Sequence, residues 1–159
     1  MFESFAFESI PRRLVLLFRM TMKHLRLEMK EIGAGTGDYS FIAILFLKDG
    51  LSQDELSTRM QVDKSYTARA VARLEQMDLV ERRPDPQEHR VKRVFLGQRA
   101  KDMKAEIFTV FKHWHDTLVR GIDPEDLPVI RQGLDQMIEN ACRELDLETW
   151  DDIIFKGKT

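Results

Sequence analysis

Five side chains that carry hydrogen-bond donors fall within one short segment of the chain. They are Lys64, Ser65, Tyr66, Arg69 and Arg73. Residues four apart share a helix face, so Ser65, Arg69 and Arg73 would form one polar row. Arginine pairs bidentately with a guanine edge, and lysine or serine at a helix start can contact phosphate. The spacing therefore predicts a helix that reads double-stranded DNA in the major groove.

A second basic group follows within an expected β-hairpin. Two β-like runs, Leu79 to Arg83 and Val91 to Leu96, flank a turn that contains two prolines and an aspartate. His89 and Arg90 lie near the tip of this turn, and Lys92 follows. A basic hairpin tip can reach an adjacent minor groove, where narrow A·T-rich DNA concentrates negative potential. His89, Arg90 and Lys92 are therefore further candidate DNA contacts.

The segment before the polar row has the signals of two short helices. Ser52 and Glu55 have the spacing of a capping box, and Asp63 suits the N-cap of a helix from Lys64 to Met77. A helix, a tight link, a second helix and a hairpin occur in the order that a winged helix-turn-helix requires.

Charge is distributed unevenly along the chain. The 159 residues have a formal net charge of −2, but residues 59–99 hold 10 Lys and Arg against 6 Asp and Glu. Residues 100–159 hold 8 against 13. A basic stretch within acidic surroundings suits a polyanionic partner, although charge alone also fits an ordinary solvated surface.

Long amphipathic helices are expected on both sides of this module. Apolar residues recur at three- and four-residue steps from about Ile10 to Ile32, and a short apolar helix is expected from about Asp38 to Lys48. Two further apolar stripes, from Ala100 to Leu118 and from Leu127 to Leu145, are separated by a break at Gly121 and Pro124. The expected fold is mainly α with a small β-hairpin wing.

The chain ends add further apolar residues. These are Phe2, Phe5, Phe7, Trp150, Ile153, Ile154 and Phe155. The terminal helices could bury one another within one chain, but together they offer more apolar surface than a small lobe easily covers. The sequence therefore predicts that the terminal helices bind a partner.

Leu51 to Ala100 resembles the DNA-binding half of the MarR family of bacterial regulators. The run from Asp63 to Glu75 is similar to the family's recognition-helix pattern, Lys-Ser-x-x-x-Arg-x-Val-x-Arg-Leu-Glu. Asp85 to Arg90 is similar to the wing pattern Asp-Pro-x-Asp-Arg-Arg. The resemblance implies that the recognition helix enters the major groove and that Arg90 enters the minor groove.

Some residues depart from the family pattern. Glu88 and His89 stand where the wing usually has Asp and Arg, and Asp78 stands where a Gly is usual. Glu88 keeps an acid that could support an arginine. His89 would be mostly neutral at pH 7, which weakens a phosphate contact from that position.

The resemblance also implies an assembly and a mode of action. It implies a homodimeric repressor of a pseudo-palindromic operator, with half-sites about one helical turn (~10 bp) apart, released by a small effector. Residues 1–37 and 98–159 would form the dimerisation region, and 38–97 the DNA-binding region. Residues with suitable chemistry for an effector site are Arg19, His24, Tyr39 and Trp114.

Other functions have weaker support in the sequence. His113 and His115 point to nearly opposite sides of a helix, so no metal site is expected. The single cysteine, Cys142, more plausibly packs in a helix than senses peroxide. No catalytic motif or cofactor site is expected, and the glycine run at 33–37 lacks the Lys-Ser/Thr of a phosphate loop.

Two expectations complete this interpretation. With no secretory signal and no bilayer-length apolar stretch, we expect a cytoplasmic protein without a membrane partner. The alternative function is a winged-helix protein-interaction module without specific DNA binding.

Overall fold

The structure, a computed structural model, describes residues 8–34 and 38–147. The apolar residues at the two chain ends, and residues 35–37 of the glycine run, lie outside the described residues. Within the described residues, no helix is long and apolar enough to cross a membrane.

The first two helices lie close to their expected positions. Helix α1 spans Ile10–Glu31, and the Ser9 hydroxyl caps it by accepting from the Arg12 amide at 3.4 Å. The chain leaves α1 through Gly33, whose φ of +74° favours glycine. Helix α2 spans Tyr39–Leu47, and its apolar composition fits its largely buried position.

Two helices joined by a tight link follow. Strand β1 spans Leu51–Ser52, helix α3 spans Gln53–Met60 and helix α4 spans Lys64–Gln76. The Ser52–Glu55 capping box is present in both directions, with hydrogen bonds of 2.7 and 3.1 Å. The predicted cap at the start of α3 is confirmed.

The sheet contains one strand more than the sequence predicted. Strands β2, Val80–Pro84, and β3, Lys92–Leu96, form the expected antiparallel hairpin, and β1 pairs with the other edge of β3. Leu51, directly before the capping box, pairs with Val94 and is fully buried. The winged helix is confirmed, with a three-stranded sheet in the order β1-β3-β2.

The C-terminal half is helical. Helix α5 spans Gln98–Asp102, α6 spans Lys104–Val119 and α7 spans Leu127–Glu144. One continuous helix was expected from Ala100 to Leu118, but the helix is interrupted at Met103. The interruption is slight, because the Met103 amide still donates to the Arg99 carbonyl at 3.0 Å.

The core lies where the C-terminal half of α1, helix α2 and the winged module meet. Its fully buried side chains come from both the helices and the sheet. They include Met29, Tyr39, Phe41, Ile42, Leu45, Leu51, Leu56, Val71, Leu79, Val94 and Ile107. Burial of this apolar surface fixes α4 and the sheet on a common support.

The backbone makes a close contact where the sheet meets the C-terminal helices. Asp78, the departure from the family glycine, adopts a left-handed φ of +58°. The Gly97 amide donates to the Leu79 carbonyl at 2.9 Å, and a Cβ at Gly97 would lie 2.4 Å from the Asp78 carbonyl oxygen. A side chain at position 97 would therefore force the backbone apart.

The terminal helices differ from the core in their exposure. Of the described residues of α7, only Cys142 is buried. Large apolar side chains are exposed along α1, α6 and α7, among them Leu14, Leu17, Phe18, Phe108, Leu118, Ile130, Leu134, Met137 and Leu145. The described parts of these helices therefore do not bury their stripes within one chain.

Candidate nucleic-acid interface

The start of α4 presents two polar side chains to solvent. The Asp63 carboxylate caps the helix by accepting from the Tyr66 amide at 2.7 Å, which confirms the predicted N-cap. Lys64 and Ser65, immediately after the cap, are exposed. Lys64 Nζ lies 2.9 Å from Asp54 Oδ2, an ion pair in solvent that a phosphate can readily replace.

A buried polar contact holds α3 against α4. The Ser57 hydroxyl donates to Thr67 Oγ1 at 2.8 Å, and Thr67 donates to the Asp63 carbonyl at 3.3 Å. Ser57 and Thr67 are both buried, so each hydroxyl needs the partner it has. Between the helices, Gln61 closes the turn with a φ of +51°. These contacts fix the angle at which α4 projects.

The predicted polar row on α4 divides into available and occupied donors. Ser65 and Arg69 are exposed, and no carboxylate among the described residues lies within ion-pair distance of Arg69. Arg73 is different, because its Nε lies 2.6 Å from Asp38 Oδ2 and its second nitrogen lies 3.0 Å from Oδ1. All three side chains of the row are exposed, but Arg73 already has an acidic partner in this structure.

Asp38 also approaches Tyr66. Its carboxylate, 5% exposed, accepts from the Tyr66 hydroxyl at 3.4 Å. Burial, and then the charge of Asp38, raise the pKa of Tyr66, while the hydrogen bond to Asp38 raises the pKa of Arg73. Tyr66 is half-buried, so its hydroxyl faces the protein and not the open side of α4.

Asp85 organises the tip of the wing. Its buried carboxylate accepts from the Gln87 and Glu88 amides at 2.8 and 3.1 Å and pairs with the Arg93 side chain. Arg93, followed by the two amides, lowers the pKa of Asp85. The supporting acid is therefore Asp85, whereas Glu88, the acid expected in that role, is exposed.

The turn places His89 and Arg90 at the outermost point of the hairpin. The Val91 amide donates to the Glu88 carbonyl at 2.8 Å, which closes a turn around these two residues. His89, Arg90 and Lys92 are all exposed. Arg90 and Lys92 also line a cleft of about 380 Å³ with the first residues of α3. The wing and the start of α3 thus face a common space.

Two other arginines of the hairpin, Arg82 and Arg93, bond residues outside the hairpin. Arg82 bonds Glu75 at the end of α4, with Nε 3.0 Å from Oε2. This contact lowers the pKa of Glu75. Arg93 donates to the Gly50 carbonyl at 2.9 Å and lies 3.3 Å from Glu55. The wing is therefore tied to both helices of the helix-turn-helix.

Two of the four candidate effector residues lie together. Arg19 and Tyr39 line a cavity of about 240 Å³ on the side of α1, and Phe18, Met22, Lys23 and Arg26 complete its wall. The Tyr39 hydroxyl donates to the Met22 carbonyl at 3.1 Å, and burial raises its pKa. Lys23 and Arg26 were not singled out from the sequence, although each shares a helix face with Arg19.

The other two candidates belong to a separate aromatic stack. The His24 and Trp114 rings are 4.4 Å apart and nearly parallel, and His113 lies 5.8 Å beyond His24. The Trp114 indole donates to Thr21 Oγ1 at 2.9 Å, so this stack joins α1 to α6. The four residues are not brought to one site.

Neither metal nor cysteine chemistry gains support from the described residues. They contain no cluster of three or more metal-ligand side chains. Cys142 is buried against the inner side of α7, which is the packing expected of a structural thiol.

Comparison with known proteins gives a consistent result. A family model described as the MarR family matches residues 37–92. An uncharacterised HTH-type transcriptional regulator of Bacillus subtilis, YybA, is 22% identical over 135 residues, covering 85% of this chain and 90% of the relative.

Solved structures share the whole fold. A MarR transcriptional regulator from Methanosarcina mazei Go1 matches with a TM-score of 0.81 and 28% identity, covering 86% of this chain and 99% of that one. A protein of the same family description from Listeria monocytogenes, solved with 26mer DNA, matches with a TM-score of 0.77. At 17% identity over 96% of this chain and 98% of that one, it shows the fold alone.

Proposed function

Residues 37–92 belong to the MarR family, and from this premise we propose that the protein is a homodimeric repressor that binds a specific duplex DNA. Its relatives are described as transcriptional regulators, and the winged helix-turn-helix is a DNA-binding fold. Our proposal adds that the operator is pseudo-palindromic, that the protein binds it as a dimer, and that a small effector releases it. A cytoplasmic location goes with this role.

The arrangement around Arg69 is the observation that carries the proposal. Arg69 is an exposed cation without an acidic partner among the described residues, on a helix whose angle is fixed by a buried contact. A second exposed arginine, Arg90, lies at the tip of the neighbouring hairpin. A fixed helix that presents a guanidinium, beside a basic wing, fits one major groove and its adjacent minor groove.

The proposed DNA contacts are the exposed or half-exposed donors of the two elements. They are Lys64, Ser65, Arg69, His89, Arg90 and Lys92, whereas the Tyr66 hydroxyl bonds Asp38. Arg73 lies on the same helix, but its guanidinium is paired with Asp38. Residues 38–97 would then be the DNA-binding region, and 1–37 and 98–159 the dimerisation region.

A second copy is proposed to cover the terminal helices. Leu134 and Met137 on α7, with Leu14 and Phe18 on α1, leave an apolar surface open to water in one chain. Burying such a surface against its equivalent on a two-fold related copy is favourable. Two winged modules would then address two half-sites.

An anion is the proposed class of effector. Arg19, Lys23 and Arg26 bring three positive charges to the cavity that Tyr39 also lines. Tyr39 directly follows Asp38, which bonds Arg73 on α4, so a ligand here would lie close to a contact of the recognition helix.

Binding to DNA tests the proposal. Duplexes selected by the wild-type protein from genomic fragments would be titrated by fluorescence anisotropy across a range of KCl concentrations. We expect log K to fall by roughly 0.9 per log unit of salt for each phosphate neutralised. Arg69→Ala should cost about 1–3 kcal/mol and relax base preference if Arg69 reads a guanine, and Arg90→Ala should weaken binding at the flanks.

The outcomes separate the two candidate functions. Leu47→Ala, an exposed position away from both elements, is the matched control and should bind like the wild type. If the wild type shows no salt-sensitive DNA binding, the alternative of a protein-interaction module takes its place. If both arginine variants bind like the wild type, the proposed contacts are wrong.

A further inference from the structure

We propose that Asp38 is a positioning residue for DNA recognition, holding Arg73 in an ion pair that persists in the DNA complex and thereby sets the orientation of α4. This inference rests on the proposed function. It assigns a role to a residue outside the recognition helix, and it removes Arg73 from the set of DNA contacts that the helical spacing predicts.

The geometry favours a permanent ion pair. Arg73 meets Asp38 in a two-bond arrangement at 2.6 and 3.0 Å, and the Tyr66 hydroxyl adds a third donor at 3.4 Å. Bidentate arginine–carboxylate pairs are stronger and more directional than single contacts. Asp38 thus holds two residues of α4 that lie seven positions apart, which fixes the rotation of the helix.

Burial of Asp38 decides the competition with DNA. Its side chain is 5% exposed, whereas that of Arg73 is 46% exposed. Were Arg73 to move to a phosphate, a buried carboxylate would lose its cation, which is strongly unfavourable. A phosphate in solvent already has counterions, so it gains less from Arg73 than Asp38 would lose.

A second contact ties the same connection to the C-cap of α4. Arg99 donates to the Gly33 carbonyl at 2.6 Å and to the Met77 carbonyl at 2.8 Å. Gly33 follows α1, and Met77 is the C-cap of α4. Two described residues of the connection from α1 to α2, Gly33 and Asp38, are therefore attached to α4, the first through Arg99 and the second directly. Helix α4 and the C-terminal end of α1 are held as one unit.

Lys64 provides a contrast on the same helix. Its partner Asp54 is 70% exposed, so the Lys64–Asp54 pair can open to a phosphate at little cost. Two basic residues of α4 thus have acidic partners, but only the Arg73 partner is buried. The distinction predicts opposite behaviour of the two residues in salt titrations.

The test compares the salt dependence of binding for matched neutral variants. Wild type, Lys64→Gln, Arg73→Gln and Asp38→Asn would be titrated with one selected duplex and one scrambled duplex of about the same length. The expected slope for Lys64→Gln, which loses a proposed phosphate contact, is lower than that of the wild type by roughly 0.9. Arg73→Gln should keep the wild-type slope, while its preference for the selected duplex falls about tenfold.

Asp38 and Arg73 should act as a unit. Asp38→Asn is expected to lose the same preference, and the Asp38→Asn, Arg73→Gln double variant should lose no more than either single variant. The double variant replaces the ion pair with two neutral amides of similar shape. It therefore keeps the test measurable if a single variant proves too unstable, which thermal unfolding would show.

Two results would overturn the inference while leaving the proposed function intact. One is a slope for Arg73→Gln that falls as far as the slope for Lys64→Gln, which would place Arg73 on DNA. The other is an unchanged preference in both single variants. Loss of binding by the wild type itself would instead remove the proposed function.

Discussion

The winged module and the terminal helices differ in how many of their side chains are paired or buried within one chain. In the module, most arginines are fixed by carboxylates or carbonyls of the same chain, and the apolar side chains beneath them are buried. Along α1, α6 and α7, apolar side chains remain exposed over long stripes. The module buries its apolar side chains within one chain, whereas the terminal helices leave apolar stripes exposed that the proposed second copy would cover.

This difference shows that the net charge of a segment overestimates the number of cations that are available to bind a ligand. The basic stretch from Arg59 to Arg99 has an excess of cations, but Arg73, Arg82 and Arg93 support the scaffold. Within residues 59–99, Arg69 and Arg90 are the arginines that are exposed and have no hydrogen-bonded or ionic partner among the described residues. A small number of positioned cations, and not the overall excess, defines the candidate DNA-binding face.

The largest effect is expected from a charge placed in the exposed stripe of α7. Leu134→Glu should separate the two copies, because a carboxylate would be buried at their interface without a partner. Loss of the second module should weaken binding to a two-half-site duplex by roughly 100-fold. Light scattering after size exclusion would give the mass, and anisotropy would give the affinity.

The matched control lies on the opposite side of the same helix. Gln132→Glu introduces the same carboxylate two residues away, where the side chain is exposed and off the apolar stripe. It should leave mass and affinity unchanged. If Leu134→Glu also stayed dimeric with full affinity, the contrast between a complete module and incomplete helices would fail.

A moderate effect is expected where the wing meets α4. Glu75→Gln removes the charge that holds Arg82, and with both side chains about one-third exposed we expect a loss near 1 kcal/mol in urea unfolding. The control is Glu81→Gln, whose partner Arg83 is 56% exposed, with an expected change below about 0.5 kcal/mol. Equal losses would show that burial does not separate these pairs.

The smallest effect is expected from acid. Because Arg93 and two amides lower the pKa of Asp85 in the folded protein, its stabilising contribution is present above the unfolded value of about 3.9. It is lost as pH falls below that value through the folded pKa. The protection of the Gln87 and Glu88 amides against hydrogen exchange, taken relative to the intrinsic rate at each pH, should therefore fall in acid, and Asp85→Asn should abolish this dependence. A wing that loosens equally in both proteins would contradict the assigned role.

Local signals predicted much of the module. The Ser52–Glu55 capping box, the Asp63 cap and the hairpin each depend on residues within a few positions of one another, and all three are present. The helical spacing also placed Arg69 on an exposed face correctly. Such features follow from local geometry, which a single sequence contains.

The features that were missed depend on distant residues. Asp38 and Arg73 lie 35 positions apart, and Leu51 pairs with Val94 across the whole helix-turn-helix. An acid before an apolar helix has the appearance of an N-cap, but Asp38 makes no side-chain cap in this structure. Nothing in the local pattern distinguishes a capping acid from one that bonds another helix.

The close approach at Gly97 has a consequence for protein engineering. A Cβ at position 97 would meet the Asp78 carbonyl oxygen, a backbone atom, so no change of the surrounding side chains would relieve the clash. A chimera could therefore join this module to the terminal helices of a relative at that point. It would exchange the proposed dimerisation helices and keep the winged module. The graft would have to retain Gly97, since even an alanine there would push the sheet away from the helices that follow.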